Sequence, residues 1–253
     1  IVILSIGLFI GNLTGLTKKK PRTTELSTPF SDSEEDWSIY PRPQLKRDFF
    51  LSLCGKWDLA VKYDSESTEA LGEIEVPFAP ESALSGIKRP LGVAERYIYT
   101  RKFSLPEGFM KDRLLLHFGA VDQIAYVYLN GSFAGEHVGG YLPFTLDLTS
   151  LLCEGVNELV VEVEDTLDTE LAYGKQTYKR GGMWYTAISG IWQSVWLESV
   201  PNEYIKKLTC EANGNCVKIK GGMVKNTFSP ILEYELIYTF FNDGVDVRFR
   251  YDC

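Results

Sequence analysis

Two histidines, two Asn-Glu pairs and a large share of aromatic residues mark where chemistry could sit in these 253 residues. His117 alternates with Leu116 and Phe118 inside an apolar run, which predicts a core histidine with its hydrogen bonds satisfied. His137 stands just before Gly139-Gly140, where loops gather; it either reaches a ligand there or orders the turn. Two histidines without a nucleophile-elbow sequence make no Ser-His-Asp triad. No Cys-x-x-Cys pair or His/Cys cluster suggests a metal, so neither a metal nor a cofactor is expected. Asn157-Glu158 opens a strand and Asn202-Glu203 follows a proline, so either glutamate has to be weighed as an acid or nucleophile. The 13% aromatic content leans towards β-structure and carbohydrate contact alike.

The elements that must position these groups read as strands. Leu114 to Phe118 and Ile124 to Leu129 are short apolar runs separated by Gly119-Ala120-Val121-Asp122. Ala125, Val127 and Leu129 alternate with Ile124, Tyr126 and Tyr128, so both faces of this sheet are at least partly covered. Asn130-Gly131 predicts a two-residue hairpin into Ser132 to Val138, because both central positions of a type I′ turn need positive φ. Gly139-Gly140 then allows a second reversal, and both glycines are expected to serve backbone conformation. Asp147 to Leu152 reads as one helical turn, and Asn157 to Glu164 as a strand. Near the end, Val195 and Leu197 face one side of a strand while Trp192 and Trp196 face the other.

Composition narrows the function classes. The net charge of -8 argues against a nucleic-acid partner, which needs clustered Lys and Arg. Cys54 and Cys153 lie beside apolar runs and are expected as buried thiols, and Cys210 and Cys216 could face each other across a hairpin. Five scattered cysteines favour a reducing, cytoplasmic setting. The apolar run Ile1 to Ile10 is short for a membrane span but has the length of a signal-peptide core, which keeps secretion or membrane anchoring open. Residues 18–36 are charged, rich in Ser, Thr and Pro, and read as linker.

The order F-G-A-V-D, Y-L-N-G, G-E-H-V-G-G-Y-L-P-F and D-L-T over residues 118–149 resembles the N-terminal sugar-binding domain of glycoside hydrolase family 2. Two further stretches strengthen the likeness: Y-P-R-P-Q followed by Leu53-x-Gly55-x-Trp57, and the closing Trp184-Tyr185-Thr186 with Ser189-Gly190-Ile191-x-Gln193-x-Val195-x-Leu197. Cys54 stands where the family more often has Asn. The resemblance implies an all-β chain: a tail and linker over 1–36, a jelly-roll-like antiparallel β-sandwich over 37–201, and a partial immunoglobulin-like β-domain over 202–253. It implies the non-catalytic, carbohydrate-binding part of an enzyme that hydrolyses terminal β-glycosides. Such an enzyme has two glutamates at strand ends of a (β/α)8 barrel of about 250 residues. That barrel is then a partner within the same full-length chain, and a homo-oligomer is possible. A freestanding carbohydrate-binding module and a purely structural domain are the other readings.

Neither Glu158 nor Glu203 has the Trp-rich setting of the family's acid/base glutamate, so no catalytic residue is assigned. Sugars are held by aromatic faces and a few orienting polar groups. The candidate substrate contacts are therefore Tyr141, Trp184, Tyr185, His137 and Arg96, with Asp122, Glu136 and Arg180 as further polar partners. Trp184 and Tyr185 serve the core or a ligand. In β-galactosidases of the family an Asp stands two residues before the closing Trp; Gly182 stands there in this chain, which leaves the sugar open.

Overall fold

Period-two apolar patterning folds the chain into antiparallel strands whose inward residues meet across two layers. The computed structural model describes residues 39–42, 45–64, 67–90, 92, 95–179, 181–213, 216–224 and 232–239, with side chains as far as residue 207. All belong to the second of two units, Ile1–Asp36 and Trp37–Cys253. The apolar N-terminal run, the 18–36 linker, Arg180 and residues 240–253 of the expected immunoglobulin-like domain lie outside the described residues.

The strands are β1 (Phe50–Ser52), β2 (Gly55–Tyr63), β3 (Thr68–Val76), β4 (Glu95–Ser104), β5 (Arg113–Phe118), β6 (Val121–Asp122), β7 (Ile124–Leu129), β8 (Ser132–Val138), β9 (Phe144–Asp147), β10 (Val156–Glu164), β11 (Gln176–Thr177), β12 (Tyr185–Thr186), β13 (Gly190–Ile191), β14 (Val195–Val200), β15 (Tyr204–Asn213), β16 (Cys216–Val224) and β17 (Leu232–Thr239). A six-stranded sheet in the order β3-β2-β4-β10-β7-β8 and a four-stranded sheet in the order β1-β14-β5-β9 make the sandwich. Between them Trp57, Leu59, Val61, Tyr97, Tyr99, Val127, Val161 and Val163 meet Leu114, Leu116, Phe118, Val195 and Leu197 in one core. Trp57, 1% exposed, satisfies its indole N–H on the Leu53 carbonyl at 2.7 Å, so its large apolar area is buried without an orphaned donor. Asn130 and Gly131 have φ of 53° and 76°, the values that the hairpin between β7 and β8 requires. The expected helical turn is a short 3-10 turn at Thr149–Leu151.

Both faces of β14 are buried. Its inner face enters the core; its outer face lies under the residues around Tyr40 and Arg42. Glu198, fully buried, accepts hydrogen bonds from Arg42 Nη2 at 2.6 and 2.8 Å, from Trp196 Nε1 at 2.9 Å and from the Tyr40 hydroxyl. His117 Nε2 lies 3.3 Å and Arg47 Nε 3.4 Å from the same carboxylate. Burial pushes the Glu198 carboxyl up, but these donors and charges outweigh it and hold it well below the usual carboxylate range. His117 is thus buried and partnered as expected, though on the outer face of its sheet, where it stacks on Trp196 at 5.0 Å. Burial lowers its pKa despite the nearby carboxylate.

Two cysteine expectations need correction. Cys54 is buried, but Cys153 is exposed. Asn157 pins the Cys153 backbone on both its N–H and its carbonyl, which fixes the loop without enclosing the thiol. In the β15–β16 hairpin, Cys216 pairs with Asn213 and Cys210 with Ile219. The two cysteines therefore sit three register positions apart and do not face each other. After Pro201, β15, β16 and β17 form a separate three-stranded antiparallel sheet.

Candidate functional site

At one edge of the sandwich, β6 pairs with β13 so that Asp122 lies opposite Gly190. Asp122 is only 2% exposed and forms the floor of a loop cluster. Gln176, also buried, bridges this floor to both loops above it. Its Nε2 donates to Asp122 Oδ2 at 3.0 Å and to the Tyr141 hydroxyl at 3.2 Å, while its Oε1 accepts from Ile188 N–H at 2.7 Å. Next to it, β11 runs parallel to β12 with Gln176 opposite Tyr185, and Tyr185 N–H donates to the Lys175 carbonyl at 2.8 Å. Trp192 closes the other side: its indole N–H donates to the Gly140 carbonyl at 2.8 Å and its ring meets Tyr141 edge-on at 6.0 Å.

Tyr141, Trp184 and Tyr185 are 44%, 43% and 64% exposed, so none of the three is a core residue. Gly139 has φ of +113°, as a reversal there demands, but Gly140 has no positive φ. A Cβ on Gly140 would stand 2.1 Å from Asp122 Oδ1. The second glycine therefore serves close approach, a correction to the backbone reading. Gly174, at φ of +64°, turns against the Tyr141 hydroxyl, 2.9 Å from where its own Cβ would lie.

The floor is acidic and buried. Burial pushes the Asp122 carboxyl up to about 6, the Gln176 bond opposes this, and Asp165 adds to it. Burial also raises Asp165 and Glu81; Glu81 accepts from the Ser189 hydroxyl at 2.7 Å. Among the described residues no group of His, Cys, Asp or Glu is arranged to hold a metal ion. The acids instead fix loops.

Residues 50–201 match the family described as glycosyl hydrolases family 2, sugar binding domain. The chain belongs to glycoside hydrolase family 2. Relatives in the family include a β-galactosidase of Thermoanaerobacter pseudethanolicus, 32% identical over 43% of this chain and 14% of the relative. A β-glucuronidase of Pongo abelii is 30% identical over 44% of this chain and 20% of the relative. Among solved structures, Ruminococcus gnavus β-glucuronidase superposes with a TM-score of 0.55 at 20% identity, over 81% of this chain and 41% of that one. A family 2 β-galacturonidase from Eisenbergiella tayi gives 0.54 at 18% identity, over 78% and 36%. These likenesses show the fold. The chain spans well under half the length of each of these proteins.

Within the family 2 domain, the edge brings Tyr141 and the strand of Tyr185 together through Gln176, with Trp184 beside them in sequence. His137 lies further back, half-buried in β8 opposite Ala125, and stacks on Phe144 at 4.3 Å. Burial lowers its pKa. Arg96 sits in β4 with Tyr126 under its guanidinium at 5.9 Å and Glu162 and Glu164 as ionic partners, outside the Gln176 network. Glu136 is exposed opposite Tyr126, and Asp122 is too deeply buried to meet a ligand directly. Glu158 is exposed in β10 with Lys102 at 3.6 Å, and Glu203 is exposed beyond Pro201. Sequence reasoning missed Gln176, Gly174 and Trp192 as parts of the edge. No periodicity marks them, because their roles arise only when β6 closes on β13.

Proposed function

We propose that this chain is the carbohydrate-facing accessory part of a family 2 enzyme that hydrolyses terminal β-glycosides, with the two catalytic glutamates on a barrel elsewhere in the full-length chain. The observation that carries this reading is the edge itself: three exposed aromatic residues on loops fixed from beneath by Gln176 and Asp122, inside the family's sugar-binding domain. Aromatic faces take the C–H surface of a sugar, and the fixed loops reduce the ordering cost of binding. A retaining glycosidase needs two carboxylates roughly 5 Å apart. Glu158 offers no such pairing, since its side chain stands on the exposed face of β10 against a lysine.

An edge of this kind lends a rim to a site and does not enclose a sugar, so affinity in isolation belongs in the millimolar range; 1 mM corresponds to about -4.1 kcal/mol. Two measurements test the reading. The chain is assayed on nitrophenyl β-glycosides, where no turnover is expected, and titrated with galactose, glucuronic acid and mannose by calorimetry. Turnover abolished by Glu158→Gln would overturn it, and micromolar affinity would make the chain a freestanding binding module. Met183 and Tyr178, exposed beside the aromatic pair, favour a second use of the same loop: packing against the barrel of the full-length protein.

A further inference from the structure

The Gln176 amide nitrogen has two hydrogens, and two acceptors face it: Asp122 Oδ2 at 3.0 Å and the Tyr141 hydroxyl oxygen at 3.2 Å. Its carbonyl oxygen is occupied by Ile188 N–H at 2.7 Å, which fixes the amide's orientation. Asp122 is acceptor-only when ionised, so it holds the nitrogen side of the amide towards itself. Tyr141 must then receive its bond from Gln176 and keeps its own proton. Among the described residues no other hydrogen bond engages that hydroxyl, and the residue is 44% exposed.

We propose that Gln176 is the positioning residue of this edge, fixing Tyr141 as a hydrogen-bond donor so that the edge selects a ligand by an acceptor oxygen, such as a sugar hydroxyl or a uronic carboxylate. Gln176 donates both ways, inward to Asp122 and outward to Tyr141, and Tyr141 in turn donates to the ligand. The inference rests on the carbohydrate-facing reading and adds to it the sense of one contact. It also gives Asp122 a role that its burial would otherwise deny it.

Gln176→Glu separates polarity from shape. The substituted carboxyl still accepts from Ile188 N–H, and beside Asp122 the two acids share one proton at pH 7, since like charges that close cannot both ionise. Asp165 adds to that pressure. In this variant Tyr141 meets a carboxyl oxygen and gives its proton inward. The whole chain, its Gln176→Glu and Tyr141→Phe variants and the double variant are titrated by NMR at pH 7, where Asp122 is ionised in the wild type, with methyl β-glucuronide and methyl β-galactoside, and protection of the Ile188 amide is followed by hydrogen exchange. Each single variant should lose about fivefold in affinity, the scale of one hydrogen bond. The double variant should lose no more than either, and Ile188 should stay protected in Gln176→Glu. A structural role alone would lose protection and affinity together. Wild-type affinity in Tyr141→Phe or in Gln176→Glu overturns the inference, as does an unprotected Ile188 amide in the wild-type chain. A wild-type chain that binds neither glycoside while Ile188 is protected overturns the carbohydrate reading itself.

Discussion

Asp122 and Gly140 occupy adjoining space, and that contact gives two neighbouring glycines different reasons to be glycine. Gly140→Ala drives a methyl group into Asp122 Oδ1, whose side chain is tied to Gln176, and should cost about 1–3 kcal/mol by urea unfolding. Gly139→Ala meets nothing within 4 Å and should cost about 1 kcal/mol, through its positive φ alone. In an Asp122→Ala background the first cost should largely vanish and the second persist; strictly additive costs would sink the contact explanation. Asp122 also has a pH signature. Its carboxyl rises from the ordinary 3.8 to about 6 in the folded chain, so its ionisation opposes folding. That cost is absent below pH 3.8, grows as pH climbs to about 6, and is constant above. Asp122→Asn keeps an acceptor for Gln176 and removes the titration. The variant should gain on the wild type between pH 4 and 6 by roughly 2–3 kcal/mol at most, at 1.36 kcal/mol per unit. Parallel stability curves over that window would contradict it.

At the scale of elements, Tyr40, Arg42 and Arg47 are held on β14 by one carboxylate, and the sign there is opposite. Glu198 is depressed below its ordinary value of 4.5, so its stabilisation is present above that pH and lost as pH falls through the lower folded value. Glu198→Gln leaves Arg42 and Arg47 without their counter-charge and should cost on the order of 3 kcal/mol at pH 7. The gap should narrow below pH 4.5. An equal gap at pH 3 and pH 7 would show that shape, and not charge, retains the segment. Strands and turns such as β7 and Asn130-Gly131 were legible in the sequence because their signal is local: period two and positive φ. Glu198 was not, since nothing near it in sequence announces that Tyr40, Arg42 and His117 converge on it. The edge divides in the same way. Tyr141, Trp184 and Tyr185 stand out by residue type, whereas the amide that joins two of their loops depends on contacts between residues 122, 141, 176 and 188.

At the scale of the whole molecule, stability and recognition occupy different layers, and single substitutions should separate them. Leu116 is fully buried between the sheets among Trp57-side and Val195-side residues of one core. Leu116→Ala should cost about 2–5 kcal/mol through lost transfer energy and the cavity left behind. Sugar affinity at the distant edge should be unchanged as long as the chain is folded. Trp184 has the reverse profile. At 43% exposed it contributes little to the core, so Trp184→Ala should move stability by no more than about 0.5 kcal/mol. On the proposed carbohydrate-facing reading its effect falls on binding, and it should grow in a full-length enzyme, where a barrel would supply the remaining contacts and the aromatic face would complete an enclosed site. There the expected signature is a raised KM with kcat little changed, because a rim contact made equally in ground and transition states is uniform binding. Steady-state kinetics of the full-length Trp184→Ala enzyme, set beside urea unfolding of the same variant, decides the matter. Equal KM with a large loss of stability would place Trp184 in the framework and remove it from the edge.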